Sequence, residues 1–386
     1  MITQEFFLNP KNIYEQCAYA GVSAPDQAAL LALATRICAQ SSMLALAQQL
    51  YHDTYVAPEW VEEAPPTPVL EAAFGVDASA LYVLVGLDCV RLIRAAQAKR
   101  GVPESITRAS CDSPAVGLRR FRKLYGQVGM DRWTLVWFRY LAGGDLYRLG
   151  RLQFIPEPCQ ANIVVYRHNT SGRVQALAAP GMRFAGDGFP PADDAELPAQ
   201  GWVSELRETT SDVTGTPLSA CGMALPQPMS LRLSEWLRVL GNGDTVLSMH
   251  IPDLDSIALD VLRDSFEQAM AFFPRYYPDQ IFNAFVCESW MFNTQLQDML
   301  PASSKLVQFQ IQGYRTPHPP VPEYSLYFIF GRKHIDLATA PRDTTLRRAV
   351  LAHLKAGQTL RNGGWFLLRE DALQFGKQPY ADDTTS

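Results

Sequence analysis

The sequence lacks the residue patterns that mark several common types of site. Its seven cysteines are scattered singly, and no two of them form a Cys-x-x-Cys pair. No His-x-x-x-His or Glu-x-x-His pair occurs, and there is no Gly-x-Ser-x-Gly segment or phosphate-binding P-loop. These absences argue against a disulfide framework, a zinc site, a serine hydrolase and a nucleoside triphosphatase. We therefore expect no metal cofactor.

Long apolar runs and basic blocks are also missing. The longest apolar run, residues 81–87, is too short to span a bilayer, and the first residues lack the pattern of a secretory signal. The formal net charge is -5, which argues against a nucleic-acid backbone as a general partner. We predict a cytoplasmic protein without a nucleic-acid or membrane partner, whose ligands are small molecules. Its oligomeric state is left open.

A chain of 386 residues exceeds what one hydrophobic core usually serves, so two domains are expected. The first, residues 1–145, is predicted to be all helical because apolar residues recur there at three- and four-residue spacing. A loop rich in proline is predicted at 62–68. The predicted helices cover residues 24–55 (with a break near 40–42), 77–101, 113–125 and 132–141.

Strand patterns begin after residue 146. Three short strands are predicted at 149–154, 162–168 and 174–178, and a further pair near 202–208 and 213–217. From 243 to 331 the pattern predicts β-α-β-α-β-β. Its elements are a strand at 245–251, a helix capped by Asp255 or Ser256, a strand at 281–286, a short helix at 293–300, and strands at 305–312 and 324–330.

A three-strand meander followed by this order is the layout of the GNAT acyltransferase fold. We therefore predict an α+β protein with a GNAT-like domain at 146–376 and a flexible tail at 377–386. In that layout an acyl-CoA lies where the central parallel strands separate, and a helix N-terminus attracts its pyrophosphate. The backbone amides of Asp255, Ser256 and Ile257, at the predicted helix start, are the candidate cofactor-binding groups.

Four segments of the chain resemble a bacterial family of acyltransferase domain-containing proteins. That family pairs a helical N-acyltransferase N-terminal domain with a GNAT-like C-terminal domain, and the resemblance covers nearly the whole chain. It implies acyl transfer from acyl-CoA or acetyl-CoA to an amine. The segments are FRYL at 138–141 with YRLGRLQF at 147–154, GDTVLSMHIP at 243–252, SFEQAMAFF at 265–273 with YP at 277–278, and CESW at 287–290.

His250 and Glu288 are the candidate catalytic residues. His250 ends a predicted strand, where a neutral imidazole can accept the proton of a substrate amine, and Glu288 follows the next strand as a second base or a partner for His250. The alternative is that His250 bonds a neighbouring loop and Glu288 is a surface carboxylate. Cys287 is expected to be a packed cysteine, since no basic neighbour in sequence would activate its thiol.

The predicted cofactor loop departs from the GNAT pattern. GNAT enzymes usually carry glycines there, so that backbone amides approach the pyrophosphate closely, whereas residues 253–256 contain none and include two aspartates. A matching string, Arg238-Val-Leu-Gly241-Asn-Gly243, precedes the strand instead and is interpreted as the end of a helix and a turn. A non-catalytic GNAT-like ligand-binding or scaffold protein that no longer binds CoA is therefore the second hypothesis.

Overall fold

A computed structural model of the chain describes residues 6–57, 66–192, 196–253 and 256–381. The chain forms two compact units. One contains residues 1–155 together with Ile251–Asp255, and the other contains Pro156–His250 and Ser256–Ser386. Each unit has its own hydrophobic core or cores.

The first unit is built from helices. Several begin or end at residues with the expected capping chemistry: the Asn9 side chain accepts two backbone N–H groups of the first helix, and Gly21 ends that helix with φ 74°. The predicted break near residue 40 is present. The helices are α1 Pro10–Ala20, α2 Ala24–Cys38, α3 Ser41–Tyr55, α4 Thr67–Phe74, α5 Ala78–Leu87, α6 Cys89–Lys99, α7 Glu104–Ser110, α8 Ser113–Tyr125 and α9 Trp133–Leu141.

Helix α5 forms the centre of this unit, and its side chains from Ala80 to Leu87 are buried. The apolar residues around it belong to one continuous core with α1, α2, α3 and α9. By length and composition alone, the helical run Thr67–Lys99 is apolar enough to cross a membrane, with a mean hydropathy of 1.6. Since 72% of that window is buried inside the structure, burial in this core accounts for its apolar character. Of the loop predicted at 62–68, residues 62–65 lie outside the described residues, and 67–68 begin α4.

A hairpin of strands β1 Tyr147–Leu149 and β2 Leu152–Pro158 follows the helices. By its contacts this hairpin belongs with the helices as far as Ile155, although the sequence-based division starts the second domain at residue 146. Arg148 forms an ion pair with Asp112, next to α8, and Arg151 donates to the Pro252 carbonyl over 2.5 Å. The segment 251–253 is thereby joined to the first unit.

The second unit contains two antiparallel sheets ahead of its α/β part. In one, the order is β11-β3-β4-β9; in the other, it is β10-β8-β7, and a short β5-β6 pair stands apart. The predicted strands at 162–168 and 174–178 are present and pair with each other. The strand predicted before them lies in another sheet, and β11 and β9 are their outer partners, so the three-strand meander does not form. The strands are β3 Ile163–His168, β4 Val174–Ala178, β5 Arg183–Phe184, β6 Trp202–Val203, β7 Leu206–Glu208, β8 Asp212–Gly215, β9 Pro217–Leu218, β10 Met229–Arg232 and β11 Trp236–Leu240.

The α/β part places four strands side by side in the order β12-β13-β15-β14. β12 and β13 are parallel, whereas β15 is antiparallel to both β13 and β14. Its elements are β12 Thr245–His250, α10 Leu259–Tyr276, β13 Ala284–Ser289, α11 Leu296–Met299, α12 Lys305–Gln310, β14 Tyr314–Pro317, α13 Pro322–Phe330, α14 Thr345–Lys355 and β15 Gly363–Leu368.

Two predicted strands are helices. The run 305–312 alternates enough to suggest a strand, yet Leu306, Val307, Phe309 and Gln310 are buried with the spacing of a helix face in α12. The aromatic run 324–330 lies in α13, where proline occupies the first turn and Gly331 ends the helix with φ 79°. In α13 the terminal signals outweigh the strand propensity of the side chains, whereas α12 has no side-chain cap and is a helix that buries one face.

The residues after β15 are packed as far as Tyr380, which the sequence analysis placed in a flexible tail. Its hydroxyl accepts the Leu368 N–H over 2.8 Å and donates to the Asp371 carboxylate over 2.8 Å. Its ring lies 5.7 Å from that of Tyr314 and 5.9 Å from that of Phe366. Tyr380 therefore packs against the end of β15. The predicted tail residues 382–386 lie outside the described residues.

Candidate functional site

The parallel strands β12 and β13 separate towards their carboxyl ends. Their pairing covers three positions, from Val246 opposite Ala284 to Ser248 opposite Val286. Both strands continue beyond this point, to His250 and Ser289. The gap thus opens between neighbouring strands where ligands of open α/β sheets usually bind.

His250 and Glu288 lie on the same face of the sheet. Side chains alternate along a strand, and Ser248 and Val286 are register partners, so the residues two positions later share their face. The opposite face is covered by α10, since the Phe266 ring contacts that of Phe285 at a centroid distance of 4.9 Å. Both predicted catalytic residues therefore stand at the end of the gap, on the face away from α10.

His250 is half-buried at the end of β12. Burial lowers the pKa of its imidazole from 6.5 to about 4 because the charged form loses solvation. The ring is thus neutral at pH 7, and its Nε2 atom lies 3.5 Å from the Ser248 hydroxyl, at the limit of a hydrogen bond. A neutral ring nitrogen is the form that accepts a proton.

Glu288 has a partner that the sequence analysis missed. Its Oε1 atom lies 3.1 Å from Nδ1 of His318, the residue directly after β14. The hydrogen bond from His318 lowers the pKa of the Glu288 carboxyl, against the opposing effect of burial. The carboxylate is therefore ionised at neutral pH, and 59% of its side chain is exposed.

His318 reaches Glu288 by crossing over a glycine. Glu288 and Thr316 are both register partners of Gly364, which lies between them in β15. A Cβ atom at Gly364 would lie 2.5 Å from Nε2 of His318, so only glycine leaves room for the ring. The signal for this arrangement was the Gly-Gly pair opening an apolar run at 363–368, since glycine inside a strand often marks a close approach.

The predicted cofactor loop is only partly as expected. Asp255 lies outside the described residues, and α10 begins at Leu259 after an N-cap at Ala258, so Ser256 and Ile257 precede the helix instead of opening it. The Ser256 hydroxyl accepts the Ala258 N–H over 3.2 Å, and the Ile257 side chain packs on the apolar cluster of α11 and α12. With these local contacts, the helix begins at Leu259 and not directly after Asp255 or Ser256.

Charged groups border this loop. Lys305, at the start of α12, donates from Nζ to the Ser256 hydroxyl over 3.3 Å and is exposed. In the first unit, Asp253 is paired with Arg120 at 3.4 Å, so its charge is balanced by a cation. The lysine is a second residue that the sequence analysis missed, because its run was interpreted as a strand rather than as the first turn of a helix.

The string at 238–243 contains the end of strand β11, up to Leu240, and the turn after it, so the predicted turn is present but a strand precedes it instead of a helix. Asp244 N–H donates to the Gly241 carbonyl over 3.2 Å, and Gly243 has φ 83°. The Arg238 guanidinium lies 3.2 Å from the Asp244 carboxylate. This arginine is therefore engaged within the turn that leads into β12.

Cys287 points to the α10 face by strand alternation, away from His250 and Glu288. Burial raises the pKa of its thiol well above the usual range, and the nearby Glu288 charge acts in the same direction. The thiol is a poor nucleophile in this state. Across residues 6–57, 66–192, 196–253 and 256–381, no group of three or more His, Cys, Asp and Glu side chains is arranged to hold a metal ion.

Comparison with family models gives two matches. Residues 11–140 match the N-acyltransferase N-terminal domain, and residues 146–367 match the GNAT-like C-terminal domain. No curated protein matches the chain. The two models together span the helical first part and the sheet-rich second part, in agreement with the predicted α+β class.

Solved acyltransferase structures share the fold over most of its length. A crystal structure of an acyltransferase in complex with decanoyl-CoA and teicoplanin aligns with a TM-score of 0.60 and 21% identity, covering 93% of this chain and 88% of the other. A complex with CoA and 10C-teicoplanin gives the same values. A complex with decanoyl-CoA gives a TM-score of 0.56 at 20% identity, with coverage of 92% and 87%.

Proposed function

We infer the function from the family, since this chain belongs to the proteins in which an N-acyltransferase N-terminal domain precedes a GNAT-like C-terminal domain. We propose that it is an acyl-CoA-dependent N-acyltransferase that moves an acyl group to an amine by direct transfer. The observation that carries this proposal is the separation of β12 and β13, with His250 and Glu288 on one face at its end.

The proposed reaction needs one proton acceptor and no covalent enzyme intermediate. The amine nitrogen attacks the thioester carbonyl carbon, so that a C–N bond forms and the C–S bond breaks with its electron pair on sulfur. The nitrogen gives up a proton to His250, which is neutral at pH 7, and the leaving CoA thiolate takes up a proton to become the thiol. The protonated, half-buried thiol of Cys287 is consistent with direct transfer.

Donor binding is supported by the cation beside the loop before α10. The loop has no glycine, but Lys305 at Ser256 supplies a positive charge that favours a phosphate group. The fold is shared with structures that contain decanoyl-CoA, and one of these also contains teicoplanin. Both a short and a ten-carbon acyl donor are therefore the compounds to test.

Isothermal titration of the protein with acetyl-CoA and with decanoyl-CoA tests the proposal. Micromolar binding of either donor, about -8 kcal/mol, is expected. The Lys305→Met variant should bind about tenfold more weakly, because one charge-assisted contact is lost, while His52→Asn, in α3, should bind as the wild type does. Release of CoA thiol with teicoplanin or benzylamine as acceptor then tests transfer.

The second hypothesis, a scaffold that does not bind CoA, is motivated by the glycine-free loop. It predicts that neither donor produces heat above dilution and that the Lys305→Met variant behaves as the wild type does. That result would reject the enzymatic proposal.

A further inference from the structure

Glu288 and His318 form a hydrogen-bonded pair. The proton transfer from the amine to His250 gives this pair no role. The histidine follows β14, the glutamate lies on β13, and β15 runs between them. The ring crosses β15 only because residue 364 is glycine; a Cβ there would also lie 2.1 Å from the Thr316 hydroxyl. Strand β15 thus has no side chain at residue 364, and this absence allows His318 to contact Glu288.

The pair leaves one carboxylate oxygen available. Oε1 accepts from His318, and Oε2 makes no hydrogen bond or ion pair within the part of the chain that the structure describes. The carboxylate is more than half exposed, whereas the His318 side chain is 27% exposed. The more buried group therefore supports the more accessible one, which is the arrangement of a positioning residue and a binding group.

We propose that Glu288 anchors the acyl acceptor as a cationic primary amine, and that His318, seated over Gly364, is the positioning residue that fixes this carboxylate. The inference rests on the proposed function, because it names the acceptor class for the same site. An ionised carboxylate attracts an ammonium group and gives no comparable advantage to a hydroxyl. Before transfer, the bound ammonium releases one proton to solvent. The neutral nitrogen then attacks the thioester, and His250, on the same face, receives the proton that this nitrogen loses as the C–N bond forms.

Binding of a probe amine tests the anchor without any acyl donor. Benzylammonium chloride and its neutral counterpart, benzyl alcohol, are titrated into the full chain at pH 7, and the imidazole ¹⁵N signals are recorded. The chain has six histidines, so the His318 signals are assigned by their loss in His318→Asn. A saturable shift of these signals with the ammonium compound alone is expected, and it should vanish in Glu288→Gln.

The matched control is His52, whose Nδ1 atom also lies 3.2 Å from a carboxylate, that of Asp53, in helix α3 of the other unit. In His52→Asn the His318 shift should persist with unchanged affinity. Equal shifts with the ammonium compound and the alcohol, or no saturable shift with either, would overturn the proposal. Donor titration is a separate measurement, so a failure of the acyl-CoA proposal is recognised independently.

The space above Gly364 that the His318 ring occupies allows a second test, in which both Glu288 and His318 are retained. In a Thr316→Ala background, Gly364→Ala removes the room for the His318 ring without a clash at residue 316. Benzylammonium affinity should fall about tenfold relative to Thr316→Ala alone.

Rescue of probe binding by a conservative substitution at residue 318 distinguishes a positioning role of His318 from a purely structural one. The amide nitrogen of an asparagine at 318 occupies the place of Nδ1, so His318→Asn should bind the probe within about threefold of the wild type, and His318→Ala about tenfold more weakly. Equal affinity of the wild type, His318→Asn and His318→Ala would refute a positioning role.

Discussion

Strand β13 has a different relation to each of its two neighbours. Its antiparallel partner β15 is paired with it over six positions, to Ser289 opposite Gly363, whereas its parallel partner β12 is paired over three and stops at Val286. The edge of β13 that faces β15 is thus paired to its end, and we call it the closed side. The edge that faces β12 is unpaired after Val286, and we call it the open side. Pairing with β15 continues to the end of β13 and so includes Glu288, which lies beyond the last pair with β12.

The closed side also determines which groups reach the open one. Gly363 and Gly364 provide no side chains, and the spaces that they leave are filled by the Phe292 backbone and the His318 ring. The paired edge therefore does more than support the strand, because it positions Glu288 at the gap.

The largest effect is expected from removing both polar groups of the open side. His250→Ala combined with Glu288→Gln should lower kcat/KM for transfer from decanoyl-CoA about a thousandfold, since the proton acceptor and the ionised carboxylate are both lost. Thiol release with benzylamine or teicoplanin as acceptor is the measurement, with His52→Asn as control. Retention of more than about a tenth of the activity would contradict both assignments.

A pH effect on stability is expected at the same edge. The folded pKa of His250, about 4, lies below the unfolded value of 6.5, so the unfolded chain binds more protons between these values. The contribution of neutral His250 to the free energy of unfolding should be fully present above pH 6.5. It should fall by up to about 3 kcal/mol as the pH drops to 4. Glu288, whose pKa is lowered, acts in a lower window, below its unfolded value of 4.5.

Urea unfolding at pH 7 and pH 4.5, followed by tryptophan fluorescence, measures the His250 effect. The His250→Gln variant should show a smaller loss between the two pH values. An identical loss in wild type and variant would show that His250 titrates normally.

The closed side can be broken at Gly363. A Cβ there would lie 2.0 Å from the Phe292 carbonyl oxygen, which is backbone and cannot rotate away. Gly363→Ala should lower the free energy of unfolding by about 1–3 kcal/mol. Gly117→Ala, in α8, is the matched control: nothing lies within 4 Å of its Cβ position, so a gain of about 0.5–1 kcal/mol is expected. Urea unfolding distinguishes the opposite signs.

The smallest effect is expected at Ser248, the last residue of β12 that is paired with β13. Its hydroxyl is 3.5 Å from His250 Nε2, too far for a strong hydrogen bond. Ser248→Ala should change kcat/KM by less than about threefold. A tenfold loss would mean that this contact shortens in the working complex.

The helical unit was the more predictable part of the chain. Segments such as 113–125 carry their own signals, with proline in the first turn and Gly126 at the end, and α8 has these bounds. In the second unit, the strand at 245–250 was predicted, but α12 and α13 were interpreted as strands and β15 was not recognised. Short aromatic or alternating runs are ambiguous, because burial by distant residues decides their conformation.

The site follows the same division. His250 and Glu288 end segments that periodicity identifies, so their place at strand ends was predictable. His318 is 30 residues from Glu288 in sequence, and their contact depends on β15 pairing between β13 and β14. Sequence spacing carries no information on such an arrangement. The domain boundaries and the cytoplasmic location stay predictions.

The segment 251–253 has a consequence for synthesis of the chain. The carbonyl that accepts from Arg151 belongs to Pro252, 101 residues further along, and the carboxylate that pairs with Arg120 belongs to Asp253. At about 5–20 residues per second, a ribosome needs about 5–20 s to deliver that segment after Arg151. The helical unit therefore emerges first but completes these contacts only after β3 to β12, which belong to the second unit, have been translated.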